Sequence, residues 1–79
     1  MNDEFYRQST VTGKSYDVFK TIKILNASQC AFYMHQGVEL RDIKQSFDKK
    51  TGKPILVYYF YRDETKDAYD TWCKQKDEK

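Results

Sequence analysis

The stretch Ile55-Leu56-Val57-Tyr58-Tyr59-Phe60-Tyr61 is aliphatic or aromatic at every position. Branched and aromatic side chains suit a pleated backbone, and a strand apolar on both faces belongs in the middle of a sheet. Pro54, which has no N–H to donate, fits as the first residue of such a strand. Alternation divides the stretch into Leu56, Tyr58 and Phe60 on one face and Ile55, Val57, Tyr59 and Tyr61 on the other. Whichever set meets the helices, the other lies on the opposite face.

Upstream, Asp48-Lys49-Lys50-Thr51-Gly52-Lys53 is a polar hairpin loop, with Gly52 available for positive φ. Glu39 to Phe47 is strand-like, yet Leu40 falls on the face opposite Ile43 and Phe47 unless a bulge intervenes. Before it, Asn26 caps a short helix over about 27–36. Gln29 is placed to reach back as a capping box, and Gly37 stands where a left-handed residue ends the helix. Cys30, Ala31, Met34 and Val38 share one face of that helix. Tyr16 to Leu25 alternates as a strand, with Tyr16, Val18, Ile22 and Ile24 on one side, Phe19, Lys23 and Leu25 on the other, and Lys20 out of phase. Residues 1–15 are polar. They form either an arm or an extra strand from Phe5 to Val11 that turns through Thr12-Gly13-Lys14.

Downstream, Asp63 caps a closing helix whose Ala68, Tyr69, Trp72 and Cys73 make an apolar stripe. Acids occupy its first turn and Lys74 and Lys76 its last, complementing the macrodipole. The order is β-α-β-β-α, an α+β domain over residues 16–76 with a frayed tail at 77–79. A right-handed crossover with the aromatic strand in the centre predicts three strands in the order 1-3-2, four if residues 1–15 add an edge. Both helices then cover one face, and the other has no cover from this chain.

Composition limits what such a domain can do. Seventy-nine residues with 14 bases and 12 acids carry a net charge of +2, and a chain this short has little material for a deep cleft beside its core. That weighs against most enzymes. The 16% aromatic share weighs against disorder in spite of 33% charged residues. There is no apolar run long enough to span a bilayer, and the polar start Met1-Asn2-Asp3-Glu4 is unlike a signal peptide, so a cytoplasmic location is expected. Cys30 and Cys73 have no companions at metal-ligand spacing, which suits reduced thiols. No cofactor is expected.

Catalytic constellations are weak. His35 and Cys30 sit five residues apart and point about 140° away from each other on a helix, too far for a nucleophile pair. Asp63, Glu64, Asp67 and Asp70 read as the solvated start of a helix. Gly13-Lys14-Ser15 resembles the end of a phosphate-binding loop, but the required upstream glycine is replaced by Gln8 and a strand follows. The aromatic strand with its Asp-Glu helix start resembles part of an RNA-recognition motif, but Ile55 and Val57 occupy the base-stacking positions.

Charge and aromatics point to binding instead. Nine bases stand against four acids between Lys14 and Arg62, whereas residues 63–79 carry four bases and six acids. The aromatic strand with its neighbours makes an apolar patch of the kind that marks interfaces. The candidate partner-binding residues are Phe19, Tyr58, Tyr59, Phe60 and Tyr61 among the aromatics, with Lys23, Arg41, Lys44, Lys49, Lys50, Lys53 and Arg62 as the nearby bases. Their partner is a protein, a nucleic acid or a second copy of the chain.

From Val18 to Gln75 the pattern resembles a small uncharacterised family of phage and mobile-element proteins. The resemblance is carried by Phe19-Lys20-Thr21-Ile22, by Ala31-Phe32-Tyr33-Met34 with Gly37, by Tyr58-Tyr59-Phe60 and by Asp63-Glu64-Thr65. It implies a protein that acts stoichiometrically on host machinery, such as an anti-CRISPR or other anti-defence inhibitor binding a defence nuclease complex. A small nucleic-acid-binding accessory protein is the alternative.

Overall fold

Chain reversal at Gly52 sets up the main sheet. In the computed structural model, which describes residues 5–77, Gly52 adopts φ 72°, which costs glycine little. The Asp48 carboxylate accepts from the Lys50 amide at 2.7 Å, and the Gly52 amide donates to the Asp48 carbonyl at 2.7 Å. On either side run β4 (Asp42–Phe47) and β5 (Pro54–Tyr61), while β3 (Thr21–Ile24) pairs antiparallel with the other side of β5. The sheet order is therefore β3-β5-β4, with the aromatic strand central. The helix α1 (Ala27–His35) joins β3 to β4, and α2 (Arg62–Asp77) follows β5 without a loop. With a second, two-stranded antiparallel sheet near the N-terminus, the class is α+β.

Register decides the faces of β5. Ile22 stands opposite Phe60 and Ile24 opposite Tyr58, and all four join the core formed with Cys30 and Tyr33 of α1 and Ala68 of α2. Phe60 and Tyr33 are fully buried and meet edge to face with ring centroids 5.4 Å apart. Phe32 and Trp72 pack across the two helices at 5.4 Å. Full burial of a Phe side chain stabilises by roughly 1.5–3 kcal/mol, so Phe60 with Tyr58 commits this face to the helices, while Leu56 lies outside that core and is 48% exposed.

Several local expectations change. Asn26 caps α1, its Oδ1 accepting from the Ser28 and Gln29 amides at 2.8 and 3.2 Å. Gln29 does not complete a capping box, because its amide group donates instead to the Tyr33 hydroxyl at 2.8 Å. Tyr33 and Cys30 make the buried face of α1, leaving Ala31 and Met34 exposed; the large ring of Tyr33 claims the space against Phe60. Gly37, at φ 92°, ends the helix as expected. β4 begins only at Asp42, so Leu40 reaches the core from an irregular segment and no bulge is needed. Because α2 starts at Arg62, Asp63 lies within its first turn rather than capping it. Tyr69 leaves the apolar stripe and is 52% exposed.

The largest correction concerns Tyr16 to Leu25. This is not one strand: β2 (Ser15–Asp17) is followed by a single 3-10 turn over Val18–Lys20, and only then by β3. The Asp17 carboxylate accepts from the Phe19 amide at 3.0 Å and stabilises the corner. β1 (Tyr6–Gln8) pairs antiparallel with β2, from Tyr6 opposite Asp17 to Gln8 opposite Ser15. The extra strand is therefore half of a separate hairpin rather than a fourth strand of the main sheet. The corner directs that hairpin onto the face away from the helices, so this face is not left uncovered. Of the tail expected to fray at 77–79, Asp77 is the last residue of α2, while residues 78–79 and the polar start at 1–4 lie outside the described residues.

Candidate functional site

The sheet face away from the helices carries Ile55, Val57, Tyr59 and Tyr61 along β5. The register sets Thr21 and Lys23 on one side of them, and Asp42, Lys44 and Ser46 on the other. Its two ends have different fates.

At the Tyr59 and Tyr61 end the hairpin is clasped to the sheet through Asp42, a fully buried carboxylate. Its Oδ2 accepts from the Tyr16 hydroxyl at 2.7 Å. Its Oδ1 accepts from the hydroxyls of Ser9 and Thr10 at 3.3 and 3.2 Å, and from the amides of Thr10 and Ile43 at 3.2 and 2.9 Å. Burial pushes the Asp42 carboxyl up, but the hydrogen bonds from Tyr16, Thr10 and Ile43 outweigh it and hold the group below its ordinary value. The Tyr16 hydroxyl is pushed above its ordinary value by burial, by its bond to Asp42 and by that carboxylate's charge. The Tyr16 ring lies over Tyr59 with centroids 6.4 Å apart, and the Asp17 amide donates to the Tyr61 hydroxyl at 2.8 Å. Beside it, the Arg41 guanidinium sits 4.1 Å from the Tyr61 ring centroid. Its Nη2 donates to both Glu64 carboxylate oxygens at 2.7 and 2.8 Å, and its Nη1 lies 3.3 Å from Glu39.

At the other end no hairpin contact is made among the described residues, and Val57, 7% exposed, is screened by its strand neighbours alone. Val57 and Ile55 floor a groove of about 360 Å³, with Leu25 and Phe47 on its walls and Lys23, Lys49, Ser46 and Asp48 around it. Leu25 and Phe47 are each 63% exposed. Lys44 stands beside Val57 on the same face. Among the described residues, Lys23, Lys44, Lys49, Lys50 and Lys53 form no ion pair. The groove thus offers an aliphatic floor with a basic rim.

The candidate residues read from the sequence do not gather into one site. Phe60 is fully buried and Tyr58 half-buried on the helix side, so Phe60 meets no partner while the fold is intact. Tyr59 and Tyr61 lie under the hairpin, and Arg41 is engaged internally. Phe19 is 70% exposed at the 3-10 corner, its ring 4.8 Å from that of Phe5. Arg62 is exposed at the start of α2. Lys23 and Lys49 line the groove, Lys44 stands beside Val57 on the same face, and Lys50 and Lys53 lie in the adjoining loop. Sequence reasoning missed Leu25 and Phe47 as groove walls, although Leu25 shares the strand parity of Lys23. It also missed Asp42, whose signal is a carboxylate inside a strand.

Elsewhere, a hollow of about 440 Å³ lies between the end of α1 and α2, but its Glu39 and Glu64 already hold Arg41. His35 is exposed; Cys30 is buried, which pushes its thiol up, and Cys73 is half-buried. Among the described residues no cluster of His, Cys, Asp and Glu is arranged for a metal ion, and no helix is long and apolar enough to cross a membrane. Comparison with family models, with curated proteins and with solved structures finds no match to this chain.

Proposed function

We propose that this chain is a non-enzymatic binding protein of the phage or mobile-element type, which acts in the bacterial cytoplasm to inhibit or modulate a host protein such as a CRISPR effector or another defence nuclease complex. The observation that carries the reading is the division of one sheet face into an end sealed by the chain's own hairpin and an end left as an apolar groove rimmed by lysines. Exposed bulky side chains beside unpaired charge favour an interface over ordinary surface.

The reading is tested in a bacterium that carries an active CRISPR system targeting a plated phage, or another defined defence system. Expression of the chain restores plaque formation, and the tagged protein retains one host protein at constant stoichiometry through nuclease treatment and high salt. Unchanged plaquing in every defence background, with no protein retained, overturns it.

Nucleic-acid binding is the second reading, favoured by the five lysines of the groove and loop. Its signature is an affinity that falls steeply with salt. Against it, Tyr59 and Tyr61 are half-buried beside Tyr16 and Arg41, so the exposed rings left for a base, such as Phe19 and Phe47, are separate rather than a continuous aromatic platform.

A further inference from the structure

Resting on that host-binding reading, we infer that the groove takes an acidic segment of the partner protein that carries a bulky apolar side chain. That side chain seats on Val57 and Ile55, while flanking carboxylates meet Lys23, Lys44 and Lys49. Three features select this occupant. The volume, about 360 Å³, falls at the lower end of the roughly 300–1,000 Å³ of binding pockets, enough for one large side chain and its neighbours. The floor is aliphatic and Phe47 is the one aromatic residue of the lining, so the groove rewards apolar contact more than serial base stacking. The lining carries two lysines, Lys23 and Lys49, with Lys44 beside Val57 on the same face, and one acid, Asp48, whose Oδ1 already accepts from the Lys50 and Thr51 amides.

Charge complementarity disposes of the other occupants. A basic segment is repelled, and a neutral one strips water from lysines without replacing it. A second copy offers Asp63, Asp67 and Asp70 on α2, but that helix lies on the opposite side of the sheet from the groove. One copy's helix in the next copy's groove leaves a groove free at one end of the pair, so association would extend head to tail.

The test pans a phage-displayed random dodecapeptide library against the full chain. The tightest sequence is then titrated as a labelled peptide by fluorescence anisotropy, beside a labelled twelve-residue oligo-dT and with the protein's own sedimentation as control. Selected peptides are expected to set Asp or Glu around Leu, Phe or Trp. Amide shifts on binding are expected at Leu25, Phe47, Ile55 and Val57. The exposed-site double variant K23E/K49E is expected to weaken binding about tenfold or more, with affinity recovered by peptides whose acids are replaced by lysine. Enrichment of basic or uncharged peptides overturns the inference, as does indifference to K23E/K49E, tighter binding of the oligo-dT at the same residues, or concentration-dependent chains of the protein alone. Retention of the host protein by K23E/K49E at wild-type level overturns the groove assignment and leaves host binding standing. Acidic peptides held in the groove with no host protein retained overturn host binding and leave the groove chemistry standing.

Discussion

Asp42 joins segments that are distant in the chain: Tyr16 is 26 residues away, and Thr10 and Ser9 are 32 and 33. A buried carboxylate with five donors is satisfied only while all of its partners are in place, and an orphaned buried donor costs about 1–3 kcal/mol. Asp42→Asn is therefore expected to loosen the hairpin by about that amount, read as faster amide exchange at Tyr16 with little change in β5. The clasp also has a pH window. Because the folded Asp42 value is depressed below the ordinary 3.8, its contribution is present above about pH 4 and lost as pH falls through the folded value. Because the folded Tyr16 value is raised above the ordinary 10.0, its contribution is present below about pH 10 and lost as pH rises further. Melting temperature across pH, compared with Asp42→Asn and Tyr16→Phe, is expected to show the acid limb reduced in the first variant and the alkaline limb in the second; identical profiles in all three refute the assignment. A carboxylate inside an otherwise ordinary strand is visible in the sequence, but its partners are not, since local patterning carries no information about contacts at such separation.

The elements divide into those with a strong local signature and those shaped by a neighbour. The aromatic strand, its polar loop, the Asn26 cap and the Gly37 stop could all be read from the sequence, because each rests on backbone chemistry confined to a few residues. The break between β2 and β3 left a single trace in the sequence, the out-of-phase Lys20 that ends the 3-10 turn. A period of two runs on through Tyr16, Val18, Ile22 and Ile24, and a single 3-10 turn moves Tyr16 to the opposite side from Ile22 without disturbing it. The buried face of α1 was misplaced for a related reason: Tyr33 has a polar tip, which Gln29 satisfies, and so it outcompetes the more apolar Met34. Two measurements belong at this scale. Asn26→Ala is expected to cost about 1 kcal/mol in urea unfolding, and Phe60→Ala about 3–5 kcal/mol, because the ring is fully buried at the centre of the core. In contrast, K23E/K49E is expected to leave the urea midpoint nearly unchanged, which separates stability from binding.

At the level of the whole molecule, the helices, the sheet and the hairpin make three layers at one end and only two at the other, where the groove lies. The α+β class was legible because periodicity and length separate helical from strand segments, although the five strands in two sheets exceed the three or four expected of one sheet. The layering was not, because it depends on where the largely polar residues 5–15 fold back, and such segments carry little hydrophobic pattern to show where they dock. The hairpin's side chains are exposed along β1 and buried mainly at Ser9 and Tyr16, so it holds less apolar contact than β5. Native-state hydrogen exchange is expected to show its amides opening at lower free energy than those of β5; equal protection would mean that the two layers unfold as one.

The 3-10 corner gives that difference a covalent counterpart. Only Val18, Phe19 and Lys20 link the hairpin to the first strand of the main sheet, and Lys20 is exposed. A tryptic cut after Lys20 would turn the leading segment into a separate peptide, its hold on the remainder resting on Tyr16, Asp17 and the hydroxyls around Asp42. The nicked halves would then form a complementation pair, and the change in their dissociation constant on Asp42→Asn measures what the buried carboxylate contributes beside the Asp17 to Tyr61 bond and the Tyr16 ring contact.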